Sequence, residues 1–172
     1  MHTYADSLVD ILVDLPSSEP LQQAEPAPFP EHDDCFAVRQ AARHLSQLYE
    51  RHLSAAGLTP TQFSILGALG AAAVGQGGEA SVTMAQLSRT MVMERTTLVR
   101  ALRPLLRGAL VEDRAQASDC RRRRLALTQA GRARLTEANV HWRAAQDEFE
   151  RRFGPRRAAW LRRELLRITR AV

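Results

Sequence analysis

Arg95, Thr96, Thr97 and Arg100 stand close together in the middle of a 172-residue chain, and their side chains suit the reading of base edges. A guanidinium presents a two-pronged fork to O6 and N7 of guanine, and threonine offers a hydroxyl and a methyl that can meet the thymine methyl. Arg100 and Arg103 are placed to reach phosphates, which fix position rather than sequence. A second basic group follows, in which Ser118-Asp119-Cys120 precedes four consecutive arginines, Arg121 to Arg124. An arginine on a narrow hairpin can follow the enhanced negative potential of an A·T-rich minor groove, and Arg121 is the candidate for that insertion. Arg122 and Arg123 are further candidates, but successive strand residues face opposite ways. Only part of the run can therefore touch DNA, and the rest is expected to bind phosphate or Asp119.

The elements that must position these side chains are legible around them. Thr83 and Gln86 have the spacing of a capping box and start a helix carrying Met84, Leu87 and Met91. A tight turn near Val92–Met93 leads into a helix from Glu94 to about Arg107, whose inward face is Leu98, Leu102, Leu105 and Leu106. Pro104 removes one backbone hydrogen bond and should bend the last turn, and Gly108 ends the helix. Residues 110–114 and 122–127 flank a polar turn, Ala115–Arg121, as a β-hairpin. Two helices joined by a short turn and followed by a hairpin form a DNA-reading arrangement, with the N-terminal residues of the second helix at base edges.

Longer helices surround this stretch. One begins at Asp33 or Asp34, acids suited to a helix start, and runs with Phe36, Val38, Leu45, Leu48, Tyr49 and Leu53 at helical spacing to Gly57. Thr59-Pro60-Thr61-Gln62 is a start signal for the next, with proline at the first position and glutamine closing a capping box. That helix buries Phe63, Ile65, Leu66 and Leu69 and fades into the glycine-rich loop at 75–78. After the hairpin, Thr128 starts a long helix with Ala130, Leu135, Ala138, Trp142, Ala145 and Phe149 on its apolar side. Gly154-Pro155 breaks it, and a final helix over 156–170 turns Trp160, Leu161, Leu165 and Ile168 inward. The first and last helices are apolar on more than one side and need more burial than one small winged domain offers. Two-fold homodimers are the commonest oligomers, so a dimer is expected.

Composition narrows the function classes. Every one of the 24 basic residues is an arginine. Residues 1–34 hold eight acids and no arginine, while residues 82–134 hold twelve arginines against four acids. A local excess of this kind points to a polyanion partner. Two cysteines, without metal-site spacing, argue against a disulfide framework and against zinc. No apolar run is long enough for a membrane span, and no basic residue precedes the first apolar stretch as in a signal peptide, so the expectation is a cytoplasmic protein with no membrane partner. No nucleophile elbow, phosphate loop or dinucleotide fingerprint is present, which leaves an enzyme the least supported class and implies no cofactor. At the N-terminus, Tyr4, Leu8, Ile11, Leu12 and Leu15 lie opposite Asp6, Asp10 and Asp14 as a short amphipathic helix, followed by a proline-rich linker.

The segments LTPTQFSIL, MAQLSRTMVMERTTLVRALRPLLRGALVEDR, DCR and LTQAGRARL resemble the multiple-antibiotic-resistance regulator (MarR) family over about residues 35–170. The resemblance implies a mostly α (α+β) winged helix-turn-helix in an intertwined homodimer that binds the half-sites of a palindromic operator in double-stranded DNA, usually as a repressor. Residues 1–31 would be an acidic arm, 82–131 the DNA-binding core, and 32–57 with 128–172 the dimerisation helices. Carried over by position, the recognition-helix residues are Arg95, Thr96, Thr97 and Arg100, and the wing Asp-x-Arg falls on Asp119 and Arg121. Cys120 occupies the family's second basic wing position, which puts that phosphate contact in doubt.

Two switches follow from the same resemblance. Cys35, with Phe36-Ala37 after it, is similar to the sensor cysteine of the organic-hydroperoxide branch, and Tyr49 matches a tyrosine that holds the thiolate there. A second such tyrosine is replaced by Arg39 and a third by Pro60. Nearby Arg39 would lower the thiol pKa, whereas Asp33 and Asp34 would raise it. Alternatively, family members bind aromatic acids or phenols in a cleft between the dimer helices and the winged domain. Here that cleft offers Arg39, Arg43, His44, Tyr49, His52, Gln62, His141 and Trp142, and an arginine with a histidine can hold a carboxylate while a ring packs on it. The competing class is an adaptor that keeps the fold without binding DNA. Its mark would be a neutralised recognition helix and wing, the reverse of this sequence.

Overall fold

A computed structural model describes residues 33–75, 81–116 and 119–171. The acidic arm, the linker and the tip of the hairpin lie outside the described residues, as do the side chains of residues 115–123. Contacts divide the chain into two compact units, 1–40 and 41–172. Of the first, only the start of α1 (Asp34–Leu53) is described. Asp33 accepts the Phe36 amide through Oδ1 at 3.0 Å and caps that start, as its short carboxylate allows.

The second unit continues α1 into a short 3₁₀ turn, Ser54–Ala56, and stops it at Gly57, whose φ of 64° lies in the left-handed region that glycine enters without steric cost. Next come α2 (Pro60–Gly75), β1 (Val82–Thr83), α3 (Met84–Met91) and α4 (Arg95–Arg107). They are followed by β2 (Val111–Gln116), β3 (Asp119–Leu127), α5 (Gln129–Phe153) and α6 (Pro155–Ala171). The three strands form one antiparallel sheet in the order β1-β3-β2. The architecture is a mostly helical winged helix.

Both capping boxes form. Thr59 Oγ1 accepts from Gln62 N at 3.2 Å while Gln62 Oε1 accepts from Thr59 N at 2.9 Å, and Thr83 and Gln86 repeat the exchange. Thr128 caps α5 by accepting from Gly131 N at 2.9 Å. The core lies where α2, α3, α4 and the sheet meet, around Ile65, Leu66, Leu69, Leu87, Leu98, Leu102, Leu105, Val111 and Leu125.

Four expectations are corrected. The hairpin arms run further than the expected polar turn at Ala115–Arg121 allows, because the backbone ladder continues to Gln116 and Asp119 regardless of side-chain polarity. Leu106 is 38% exposed, since each helical step rotates about 100° and carries it off the face shared by Leu98, Leu102 and Leu105. Ala130 is exposed while Gly131 is buried. Trp160 and Ile168, expected inward, are 56% and 59% exposed, and α6 instead buries Ala158. The stop after α4 also differs in detail. Gly108 has φ −79° and keeps its amide on the Pro104 carbonyl, so the left-handed residue is Ala109, φ 51°.

Candidate nucleic-acid interface

The reading unit is built from α3, α4 and the hairpin. Thr83 fixes where α3 begins, and Val92 fixes where it ends by adopting φ 50°, ψ 49°. A β-branched residue in that region is strained. The turn is held by the Ser88 hydroxyl, which donates to the Met93 carbonyl, and by Met93 N on the Ser88 carbonyl at 3.0 Å. Glu94 then serves as the N-terminal boundary of α4.

Helical geometry sorts α4 into two faces. Leu98, Leu102 and Leu105 are buried against the core, which leaves Arg95, Thr96, Thr97, Arg100 and Arg103 exposed. The structure thus brings the recognition-helix candidates onto the first two turns of one solvent-facing surface. No hydrogen bond from the Glu94 side chain caps the helix, so the positive end of the helix dipole adds to the arginine charge there.

On the hairpin, the register pairs Arg114 with Arg124 and Ala115 with Arg123, then jumps to Gln116 opposite Asp119. The backbone of 120–122 therefore bulges out of register. Bulges at a sheet edge re-aim the chain, and this one carries Arg121. The side chains of Asp119, Arg121, Arg122 and Arg123 lie outside the described residues. Arg124 is a different matter: Nε donates to Ser81 Oγ at 2.7 Å and Nη2 to the Ser81 carbonyl at 2.6 Å. The sequence alone does not set it apart from the rest of the basic run, because its partner sits 43 residues away.

The hairpin root is locked to α5 by the threonine-glycine pair. Thr128 Oγ1 donates to the Ala109 carbonyl at 2.7 Å, and a Cβ added to Gly131 would fall 2.0 Å from the Leu110 carbonyl oxygen. Only glycine fits there, and the LTQAG segment carries both requirements.

The effector candidates are dispersed. Trp142 stacks on Phe63 with centroids 4.4 Å apart and meets Tyr49 at 4.3 Å, so these rings fill the space between α1, α2 and α5. Burial, the largest influence, pushes the Tyr49 phenol up, while Arg162 pulls it down and Glu150 raises it. The Tyr49 hydroxyl donates to Gln146 Oε1, whose Nε2 donates to Glu150 at 2.7 Å. Glu150 also accepts from Arg162 at 3.0 Å. No sequence spacing points to this relay, which borders a cavity of about 150 Å³ walled by Leu45, Phe149, Leu161 and Leu165. His52 meets Glu148 at 2.8 Å. Gln62 commits its side-chain oxygen to the α2 cap. Arg39 and Arg43 are exposed, His44 lies on the outer surface of α1 beside Gln47 and Arg51, and His141 is half-buried. Cys35 is exposed in the first turn of α1. Among the described residues no single helix is long and apolar enough to cross a membrane.

No family model matches the sequence, nor does any curated protein. Solved structures do. The chain is similar to the Mycobacterium tuberculosis transcriptional regulator MosR in complex with DNA, at 38% identity and a TM-score of 0.67 over 81% of this chain and 95% of that one. A probable transcriptional regulator from Pseudomonas aeruginosa is 26% identical, with a TM-score of 0.69 over 80% and 98% of the two chains. A MarR-family regulator from Rhodococcus shares the fold, with a TM-score of 0.67 over 78% of this chain and 92% of that one at 19% identity.

Proposed function

This chain belongs to the MarR family of transcriptional regulators, and from that premise we propose that it is a homodimeric, cytoplasmic repressor without enzymatic activity. In this reading two copies present α4 and the wing to the half-sites of a palindromic DNA operator, and a small aromatic or carboxylic ligand releases them. The observation that carries it is the division of α4 into a buried leucine face and an exposed face of Arg95, Thr96, Thr97 and Arg100. This face starts a second helix, where a helix-turn-helix meets base edges. The MosR similarity adds that a regulator of this shape has been seen on DNA. Support for the dimer comes from apolar surface left uncovered on the long helices, at Val140, Phe153, Trp160, Leu166 and Ile168. Support for the ligand comes from the cavity beside Tyr49 and Arg162, which joins apolar walls to a cation.

A mobility-shift titration on the chain's own promoter tests the reading. With roughly eight phosphate contacts per dimer, log K falls against log salt with a slope of about −7. Arg95→Ala costs about 1–3 kcal/mol and relaxes specificity at one base pair. If no salt-sensitive, sequence-specific complex forms, the adaptor reading takes over. Aromatic carboxylates titrated into the complex test release, and an operator that stays bound to all of them removes the ligand from the proposal.

A further inference from the structure

The four-arginine run is not uniform, and its last member has a job of its own. Of these four arginines only the side chain of Arg124 is among the described residues, and it is half-buried, with two donors on a single residue, Ser81. Its backbone sits in the central strand, paired on one side with Thr83 and on the other with Arg114. Thr83 is also the cap of α3. One residue of the wing is thereby tied to the two positions, Ser81 and Thr83, that lead into the helix pair. We propose that Arg124 is a positioning residue that sets the wing against the recognition helix, so that both reach DNA together, without touching DNA itself.

The need for such a clamp follows from the shortness of β1. Only Val82↔Leu125 and Thr83↔Arg124 pair there, and a two-residue ladder is a weak hinge-stop for a hairpin whose arms run to Gln116 and Asp119. The guanidinium adds two bonds from a charged donor at the outer end of the ladder, and such bonds are shorter and stronger than neutral ones. A planar fork can donate to a hydroxyl and a carbonyl of one residue at once, whereas an ammonium is a single point charge on a flexible stem. Arginine is therefore required at 124 for a reason unrelated to phosphate.

The clamp rests on the DNA-binding reading only for its consequence, and two measurements on the full-length protein keep them apart. Without DNA, Arg124→Lys should speed amide hydrogen exchange over residues 81–83 and 111–127 by about tenfold, the scale of losing a charged hydrogen bond. Exchange in α2 should stay unchanged. Unchanged exchange in the hairpin overturns the clamp whatever DNA does. On an operator duplex, Arg124→Lys and Arg121→Ala should each weaken binding, and the double variant should be no weaker than the worse single one, because both act through the wing. Multiplying losses would make Arg124 an independent contact and overturn the proposal. If the wild-type chain binds no operator, the DNA reading fails while the exchange experiment still decides the clamp. Should Arg124→Lys fail to fold, Ser81→Ala removes only the Oγ acceptor and should show both effects at about threefold.

Discussion

The reading unit and the long helices bury themselves in opposite ways. In α3, α4 and the sheet, Leu87, Leu98, Leu102, Leu105, Val111 and Leu125 are each no more than 2% exposed, and apart from Val92, Val99 and Leu106 the exposed residues of α4 and the turn before it are mostly polar or basic. In α5 and α6 the buried residues are mostly small, Ala138, Ala145 and Ala158, while Trp160, Ile168 and Val140 are more than half exposed. The winged unit closes its core within one chain. The long helices put large apolar groups outside and tie their polar ones to each other, Arg162 to Glu150 and Arg152 to Glu148. The difference is that the winged unit buries its large apolar groups within one chain, whereas the long helices leave theirs exposed, the surface that the proposed dimer would cover.

The sharpest break in that comparison is Trp160→Glu with Ile168→Glu. Charge on the surface that the proposed dimer buries should split it, and a monomer loses the avidity of two linked half-sites, which is worth about a hundredfold or more. Light scattering should show half the mass while circular dichroism keeps its helical signal. A variant that stays dimeric would place the interface elsewhere. The reading unit should break differently, by unfolding. Gly131→Ala drives a Cβ into the Leu110 carbonyl, an overpacking that costs about 3 kcal/mol and should lower the melting temperature by about 10 °C in a chain of this size. A smaller shift would mean that the hairpin root yields and α5 slides.

How far each region was legible follows from how local its causes are. The caps at Thr59, Thr83 and Thr128 were readable because a cap is decided within four residues, and so was the leucine stripe of α4. Arg124–Ser81 and His52–Glu148 were not, since 43 and 96 residues separate the partners. Periodicity marks an apolar stripe on α6 but does not say which flank meets its own chain, which is why spacing alone points Trp160 and Ile168 inward while the fold leaves both exposed. The turn after α4 misled for another reason. Glycine is the usual left-handed residue, yet Gly108 continues the helical bonding to Pro104, and the reversal falls on Ala109.

Strain separates the regions as well. Val92 holds a left-handed backbone with its side chain 73% exposed, so the turn between α3 and α4 carries a cost that no burial of its own offsets. Val92→Gly removes the clash of a β-branched Cβ, about 1–2 kcal/mol, and gives back part of it as chain entropy. A net gain of about 1 kcal/mol should appear as a melting temperature higher by about 3 °C. If the gain comes with weaker operator binding, the strain is part of how α4 is aimed; if binding is untouched, it is only the cost of the turn.

The smallest effect belongs to the ionic ties of the long helices. Glu148 joins α1 to α5, taking a hydrogen bond from His52 and ion pairs from Arg152 at 2.7 Å and Arg51 at 3.8 Å. The His52 bond, foremost, and the two arginine charges hold its carboxyl below the ordinary value of 4.5. A carboxyl depressed in the folded state stabilises the fold above its unfolded pKa, and that contribution drains as pH falls through the folded value. Wild-type melting temperature should therefore begin to decline as pH drops below about 4.5. Glu148→Gln should sit slightly lower at neutral pH and run flatter, so that the two curves converge in acid. Curves that stay parallel throughout would mean that His52 and the two arginines around Glu148 contribute nothing through its charge, and that the acid sensitivity of this chain resides elsewhere.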